Sequence, residues 1–277
     1  MTKLLVKCMT MLLVSSFLVV GCGTAGGSEA GNSSNTTPAS NSSDELQKIK
    51  QAGVMTVGIE GTYPPYDYLG NNNQYTGFDV DLATEIAKRL GVKIQFVATP
   101  WDGLIGGLKA SKFDAIAADM SITPERQQQV DFTDPYLISG AVIITRKGTN
   151  DIHSLADLKG KNVGVGAGTT FATLAQNSGA NVHLYKTAND YIQDLVTGRL
   201  DAIINDQNTM AYMIANRHLP LQIDTGLLDK DTIGMAIKKG NETFVSTVNQ
   251  TLHKMVADGT YDKIYESWFH VKPPVEP

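Results

Sequence analysis

The chain has 277 residues, with 23 basic and 28 acidic side chains and a formal net charge of −5. An acidic chain of this kind is a poor candidate for nucleic-acid binding, because the phosphate backbone attracts proteins rich in lysine and arginine. The two cysteines are Cys8 and Cys22. Since Cys8 lies in a predicted leader, disulfides and thiolate metal sites are excluded from the mature domain.

Residues 1–21 have the pattern of a signal peptide. Two lysines and no acid precede the apolar run MLLVSSFLVV, and the small residue Gly21 stands just before Cys22. The apolar run is too short for a comfortable membrane span. The stretch VVGC resembles a lipobox, the bacterial lipoprotein signal, so we expect a lipid on Cys22. Ordinary secretory cleavage with an incidental cysteine is the alternative.

Residues 22–44 are predicted to be a lipidated flexible linker, since they contain almost nothing that could enter a core. Loss of the leader removes Lys3 and Lys7 and leaves 21 bases against 28 acids, a charge of −7. We expect a domain anchored by lipid outside the cytoplasm, on a Gram-positive-like membrane or in a periplasm. The remaining chain suffices for one large domain or two small lobes.

Strands and helices alternate from residue 54 onward. The predicted strands are VMTVGIE, KIQFVAT, FDAIAAD, KNVGVG, NVHLYK, LDAIIND and IGMAIKK. The predicted helices are DVDLATEIAKRLG, WDGLIGGLKAS, TTFATLAQNS, NDYIQDLVTG, TFVSTVNQTLHKMVADG and YDKIYESWF. This alternation predicts an α/β fold with parallel, doubly wound sheets.

Two segments of the chain repeat one pattern. LKASKFDAIAAD begins at Leu108, and LVTGRLDAIIND begins at Leu195. Both contain a leucine, a small residue, a base and then Asp-Ala-Ile before a final aspartate. The alternative explanation for one such match is chance, or a sequence pattern that helix-strand units commonly share. Together with the alternation, the repeat indicates two similarly built lobes.

Four predicted strands end on polar groups, namely Glu60, Asp119, the loop 167–170 and Asp206. In open α/β sheets, ligands bind outside the carboxyl ends of the strands. A cap or turn explains any single one of these residues. The four together predict a ligand site at this edge.

The stretch DMSITPER has the pattern of a helix start, with Thr123 as N-cap and Pro124 in the first position. Arg126 then lies in the first turn, where the helix dipole disfavours a cation. Either Arg126 is a solvated surface residue, or an anion lies between it and the helix terminus.

The stretch VGVGAGTT predicts a glycine turn that opens a helix. It lacks the third glycine of a dinucleotide fingerprint, since Thr169 stands there, and it lacks the lysine of a P-loop. Free N–H groups and two hydroxyls would suit an anion such as a carboxylate. Of the nearby aromatics, Tyr63 and Trp101 follow strand ends and are predicted to line the crevice. Tyr66 and Tyr68 are predicted to pack within a lobe.

Six stretches, in this order, resemble those of polar amino-acid-binding proteins of ABC importers, the solute-binding proteins of family 3. They are GTYPPYDY, TGFDVDLATEIAKRLG, PWDGLIGGLKASKFDAI, MSITPERQQQVDFTDPY, DLKGKNVGVGAGTT and ADGTYDKIYESWF. The resemblance covers residues 54–269 and implies a type II periplasmic-binding-protein fold. Two doubly wound α/β lobes would be joined by a two-segment hinge near 139–141 and 228–231. Residues 45–140 and 229–277 would form lobe 1, and 141–228 lobe 2.

The resemblance also implies roles for single residues. Arg126 matches the arginine that grips the ligand α-carboxylate with two prongs, a geometry that suits a guanidinium. Ser121 matches a residue that touches the ligand. Gly168 belongs to the opposite-lobe loop, in which Thr169 and Thr170 match donors to the carboxylate. Arg126 is thereby explained by an anion.

Further roles concern the rest of the ligand. Asp206 matches the acid that takes the α-ammonium, and Tyr63 and Trp101 match the pair that brackets the side chain. Glu60 stands where members that bind cationic side chains carry an acid, and Asp119 departs from the family's usual small residue. Because an unpaired buried charge is costly, these acids favour arginine, lysine, ornithine or histidine. Cystine, with its second ammonium, is an alternative. Glutamine is another if Asp119 points away from the cleft.

The resemblance implies capture without chemistry, by closure of the lobes around the ligand. We expect a monomer without cofactor or metal, whose partners are the amino acid, an ABC permease with its ATPase, and the membrane through the lipid. The rival class is an enzyme, since some cyclic-acid dehydratases share this fold. The sequence has no His-Glu-x-x-His motif and no serine elbow. An acid/base pair of Glu60 and Asp119 remains the one enzymatic alternative.

Overall fold

The computed structural model describes residues 45–273. Within them the α-helices are α1 (Glu45–Ala52), α2 (Phe78–Leu90), α3 (Leu104–Lys109), α4 (Pro124–Gln127), α5 (Thr170–Asn177), α6 (Ala188–Val196), α7 (Gln207–Arg217), α8 (Glu242–Ala257) and α9 (Thr260–Phe269). Short 3-10 helices cover Trp101–Gly103 and Leu155–Leu158. The predicted signal peptide and lipidated linker lie outside the described residues.

The strands of the same residues are β1 (Val54–Ile59), β2 (Thr62–Tyr63), β3 (Asp67–Leu69), β4 (Tyr75–Thr76), β5 (Lys93–Ala98), β6 (Ala115–Ile116), β7 (Val130–Phe132), β8 (Leu137–Ser139), β9 (Ala141–Arg146), β10 (Asn162–Gly166), β11 (Asn181–Tyr185), β12 (Ala202–Asp206), β13 (Leu221–Ile223), β14 (Asp231–Ile233) and β15 (Ala236–Lys238). The α/β alternation is thus confirmed. None of the helices in the described part is both long and apolar enough to cross a membrane.

Two five-stranded sheets have the same strand order, β5-β1-β6-β15-β7 and β11-β10-β12-β9-β13. In each, the first three strands are parallel, as predicted, whereas the last two pairings are antiparallel. The antiparallel pairings differ from the predicted parallel sheets, because β15 and β9 follow the crossing segments rather than strand-helix-strand units. We call the parts built around these sheets the first and the second lobe.

The crossing segments form a two-stranded ladder in which β8 pairs with β14, with Ser139 opposite Asp231. Gly140 follows directly, and the carbonyl oxygen of Asp229 leaves no room there for a side chain. The chain thus passes between the lobes through tightly packed backbone. The lobe boundaries themselves remain a prediction, supported by the segments from which the two sheets draw their strands.

The repeated pattern of the sequence corresponds to one packing arrangement in both lobes. β6 and β12 each lie third in their sheet. A side chain at Gly58 would collide with the ring of Phe113, and one at Gly164 would collide with Leu200. Phe113 and Leu200 occupy equivalent places in the repeat, so a glycine of the neighbouring strand makes room for the same apolar position twice.

The strand predicted for FDAIAAD is shorter than expected, since only Ala115 and Ile116 pair with neighbours. Beyond them Asp119 adopts a left-handed backbone, with φ of 48°. Its N–H donates to Asp79 Oδ2 on α2 at 2.6 Å rather than to another strand. The chain therefore leaves the sheet just before the predicted site.

Candidate ligand-binding site

A cleft of about 510 Å3, part of it open to solvent, lies where the strand ends of the two lobes meet. Eight of the ten predicted ligand-binding residues line it, namely Glu60, Tyr63, Trp101, Asp119, Ser121, Arg126, Thr169 and Thr170. The other two, Gly168 and Asp206, are not among the lining residues.

Arg126 is held by the start of α4 as the sequence predicts. The hydroxyl of the N-cap Thr123 accepts the Arg126 N–H at 3.2 Å. The side chain is only 8% exposed. Its guanidinium donates to the carbonyl of Ser121 at 2.9 Å and to the carbonyl of Gly168, in the second lobe, at 3.3 Å. The Cζ atom lies 5.1 Å from the centroid of the Trp101 ring, a cation–π distance.

No acidic side chain of residues 45–273 forms an ion pair with Arg126 within 4.0 Å. Burial lowers the pKa of Arg126 from its ordinary value, and the negative charges of Asp231 and Asp119 partly offset this. A guanidinium is best matched by a planar carboxylate with two acceptor oxygens. The cleft thus contains a buried cation to which residues 45–273 supply no carboxylate partner.

The loop 167–170 of the second lobe lies opposite Arg126 and contains the start of α5. The Thr169 hydroxyl donates to the carbonyl of Gly166 at 2.7 Å and accepts the Ala172 N–H at 3.2 Å. This hydroxyl is therefore engaged in capping the helix. The first N–H groups of α5 have no partner within the helix, so the backbone of this loop still offers donors to the cleft.

Asp231, in β14, contacts two residues of the cleft and was not predicted from the sequence as a site residue. The Ser121 hydroxyl donates to Asp231 Oδ2 at 2.9 Å, and the Thr170 hydroxyl donates to the same oxygen at 3.3 Å. A crossing strand thereby joins a hydroxyl from each lobe. Because both hydroxyl hydrogens point to Asp231, these side chains present lone pairs to a ligand.

Asp119 is among the residues that line the cleft and is 8% exposed. Its Oδ1 atom is buried without a hydrogen-bond partner. Burial raises the pKa of Asp119 well above its usual range, and the charges of Asp206, Asp79, Asp231 and Asp67 raise it further. A buried acid without a donor or a cation is energetically costly.

Asp206 ends β12 and is the N-cap of α7. Its carboxylate accepts the Thr209 N–H at 2.9 Å, the Tyr66 hydroxyl at 3.1 Å and the Ser139 hydroxyl. Burial raises the pKa of Asp206, while these hydrogen bonds lower it. The structure places this acid 1% exposed, next to the cleft rather than in its wall. Its contact with the ligand ammonium remains a prediction.

Three tyrosines of the first lobe reach the second. Tyr63 donates to Asn205 Oδ1 at 2.6 Å, Tyr66 to Asp206, and the Tyr68 hydroxyl lies 3.1 Å from that of Tyr212. The rings of Tyr63 and Tyr66 are stacked, with centroids 6.0 Å apart. Tyr66 and Tyr68, predicted to pack within a lobe, therefore also make contacts between the lobes.

The outer part of the cleft has a charge from each lobe. Glu60 accepts the Thr62 hydroxyl at 2.8 Å, and burial raises its pKa. Lys186, which follows β11, also lines the cleft and is exposed. The sequence-based prediction missed this lysine, together with the lining residues Gly166, Phe171, Thr187, Ala188, Tyr191 and Asn205, whereas Ala167 belongs to the predicted loop 167–170. Lys186, like Glu60, stands at the end of a predicted strand, where ligands bind in open α/β sheets.

The chain is similar to known proteins over most of its length. The model of the family described as bacterial extracellular solute-binding proteins, family 3, matches residues 55–271. The L-cystine-binding protein TcyJ of Escherichia coli (strain K12) is 37% identical over 227 residues, which are 81% of this chain and 85% of that protein. The L-cystine-binding protein TcyA of Bacillus subtilis (strain 168) is 35% identical over 265 residues, which are 94% of this chain and 98% of that protein.

A solved structure of an ancestral arginine-binding protein bound to arginine is also similar. It has a TM-score of 0.75 and 41% sequence identity, and the match covers 78% of this chain and 98% of that chain. The names of these three proteins all describe binding of an amino acid.

Proposed function

The chain belongs to the bacterial extracellular solute-binding proteins, family 3, and we propose that it is an amino-acid receptor of an ABC importer. The observation behind this proposal is the pair of Arg126 and Asp119 in one cleft, a buried cation without a carboxylate and a buried acid without a donor. A zwitterion satisfies both groups at once. Without a ligand, each group keeps its desolvation cost.

In this proposal the ligand carboxylate is held by Arg126 and by the backbone N–H groups at the start of α5. Thr169 and Gly168 shape this loop, and Thr170 contributes its backbone. Pairing with the guanidinium is bidentate, which orients the ligand as well as binding it. The hydrogen bond from the Arg126 guanidinium to the Gly168 carbonyl joins the two lobes beside the proposed carboxylate position.

The ligand ammonium is placed next to the carboxylate of Asp119, a cleft-lining acid with an oxygen that has no hydrogen-bond partner. Asp206 lies behind, close enough for its charge to raise the pKa of Asp119, and adds to the attraction for a cation. For Asp206 to bind the ammonium directly, the carboxylate must become accessible from the cleft, since it is 1% exposed and is not among the lining residues. Tyr63 and Trp101 bracket the side chain.

A further positive group of the ligand is proposed to face Glu60. This favours arginine, lysine, ornithine or histidine, and an L-cystine molecule meets the same demand with its second ammonium. The names of the two cystine-binding relatives support the second choice, and the arginine-bound neighbour supports the first. Glutamine fits only if the Thr62 hydroxyl is a sufficient partner for Glu60.

Capture is proposed to proceed by closure about the crossing strands β8 and β14, after which the loaded protein docks on a permease driven by an ATPase. A lipid on Cys22 would keep a monomeric receptor close to that permease. No chemical step is proposed, since Asp119 has a role in binding and the named relatives are binding proteins. The enzymatic alternative, an acid/base pair of Glu60 and Asp119, predicts turnover of a bound ligand.

Isothermal titration calorimetry against arginine, lysine, ornithine, histidine, glutamine and cystine tests this proposal. We expect saturable binding of at least one charged ligand, with recovery of the unchanged ligand afterwards. Glu60→Gln is expected to weaken cationic ligands much more than glutamine. Absence of binding across the panel contradicts the receptor, and equal losses for all ligands contradict the role of Glu60.

A further inference from the structure

The charges that line the cleft form two opposite pairs. Arg126 and Asp119 are the buried pair, each 8% exposed. Glu60 and Lys186 are the more accessible pair, the first partly buried and the second exposed. If only the lining acids Glu60 and Asp119 and the buried Arg126 are counted, the cleft wall has a surplus of negative charge. With Lys186 included, the charged residues of the wall are two acids and two bases.

The second pair spans the two lobes. Glu60 follows β1 of the first lobe, and Lys186 follows β11 of the second. Lys186 lies beside the loop that meets Arg126, since the Ala167 N–H donates to the carbonyl of Tyr185 at 2.9 Å. Within residues 45–273 neither Glu60 nor Lys186 forms an ion pair. Both charges are therefore available to a ligand.

This arrangement discriminates between ligands with one and with two zwitterionic ends. The cationic side chain of arginine or lysine would meet Glu60 favourably, but it would also meet the like charge of Lys186. Like charges placed together at an interface are costly, and a repulsive contact of this kind creates specificity. A second carboxylate beside the second ammonium removes the conflict.

We propose that the cleft binds an amino acid with two zwitterionic ends, such as L-cystine, and that Lys186 is the residue that selects it. Lys186 takes the second carboxylate, and Glu60 takes the second ammonium. The inference rests on the proposed function, in which Arg126 and Asp119 hold the first end. The aromatic side chains of Tyr63, Trp101 and Tyr191, which also line the cleft, offer contacts to the uncharged sulfur-containing middle.

The test is calorimetric titration at low ionic strength with three probes, L-cystine, L-cystathionine and L-arginine. Cystathionine has the same two ends but no disulfide, so it separates charge from sulfur chemistry. Lys186→Gln is expected to weaken both two-ended probes about tenfold and to leave L-arginine unchanged or tighter. Lys186→Glu is expected to weaken the two-ended probes further and to bind L-arginine more tightly than the parent protein.

Lys159→Gln is the matched control, because Lys159 is an exposed lysine of the second lobe that does not line the cleft. It is expected to change no affinity. Equal losses for all three probes, or no loss for any, overturn the role of Lys186. A parent protein that binds L-arginine but neither two-ended probe overturns the inference and leaves the receptor standing. A parent protein that binds none of the three, nor any other amino acid of the panel, overturns both.

Discussion

The segments 108–119 and 195–206 have the same pattern and the same place in the two sheets, yet their last residues differ. Both contain an acid that accepts the backbone N–H of the neighbouring strand, Asp114 from Thr56 at 2.6 Å and Asp201 from Asn162 at 2.8 Å. At the end of the repeat, Asp206 is surrounded by three donors, whereas Asp119 has an oxygen without any.

The difference arises from the position of the next helix after each acid. Helix α7 begins immediately after Asp206, so this carboxylate caps the helix. After Asp119 the chain continues to Thr123, which caps α4 in its place. Asp119 is thereby left free in the wall of the cleft. The same position after a strand thus carries a fully hydrogen-bonded acid in the second lobe and an acid with an unpaired oxygen in the first.

Arg126→Ala is expected to have the largest effect, because Arg126 contacts both lobes and is a buried cation of the cleft wall. Ligand affinity should fall by about 2–5 kcal/mol, as for other desolvated charge pairs. Calorimetry with the tightest-binding amino acid of the panel measures it. Arg217→Ala, at an exposed arginine of α7, is the control. If both variants bind like the parent protein, the guanidinium does not hold the ligand.

Asp206→Ala is expected to lower the free energy of unfolding by about 3 kcal/mol, because it removes a helix cap and leaves the buried hydroxyls of Tyr66 and Ser139 without an acceptor. Asp119→Asn should leave stability unchanged or raise it, since no bond to its side chain is lost, yet it should weaken ligand binding. Denaturant unfolding compares the two. Equal free energies of unfolding for Asp206→Ala and Asp119→Asn would contradict the difference between these two acids.

The pH dependence of the free energy of unfolding tests the surroundings of Asp119. Asp79 accepts the backbone N–H of Asp119, so the titration of Asp79 reports on this region. Burial raises the pKa of Asp79 from 3.8 to about 7, against hydrogen bonds from Asp119 and Tyr136 that lower it. The folded protein therefore binds this proton more tightly than the unfolded chain. The stability it contributes is fully present below pH 3.8 and is lost as the pH rises to about 7.

Asp79→Asn should thus flatten the fall in unfolding free energy across this range, as measured by denaturant titration at several pH values. Asp190→Asn, at an exposed acid of α6, serves as the comparison. An unchanged slope in Asp79→Asn would show that the carboxyl is not protonated in the folded protein.

The smallest expected signal is optical. The chain has two tryptophans, so Trp268→Phe leaves Trp101 as the reporter. Since Trp101 lies against Arg126, its emission should change when a ligand enters the cleft. Trp268 donates to Asp81 at 2.8 Å and packs on Tyr68. A ligand response that persists in Trp101→Phe would point instead to movement at the Tyr68 contact between the lobes.

Much of the fold follows from local rules. Gly91, with φ of 77°, ends α2 as predicted, and Thr123 caps α4 through its side chain. The ends of the predicted strands located the edge of the cleft, through Glu60, Asp119 and the loop 167–170. They did not predict Asp231, because that contact depends on a crossing strand that meets Ser121 and Thr170 only in the folded chain. Nor could they separate Asp119 from Asp206, which differ in the hydrogen bonds supplied by distant residues.

The most direct measurement is a crystal structure of the protein with a bound amino acid of the panel. We predict the α-carboxylate on the Arg126 guanidinium and the α-ammonium within hydrogen-bond distance of the Asp119 carboxylate. A ligand bound elsewhere, or one whose ammonium makes no contact with Asp119, would contradict the proposed receptor site.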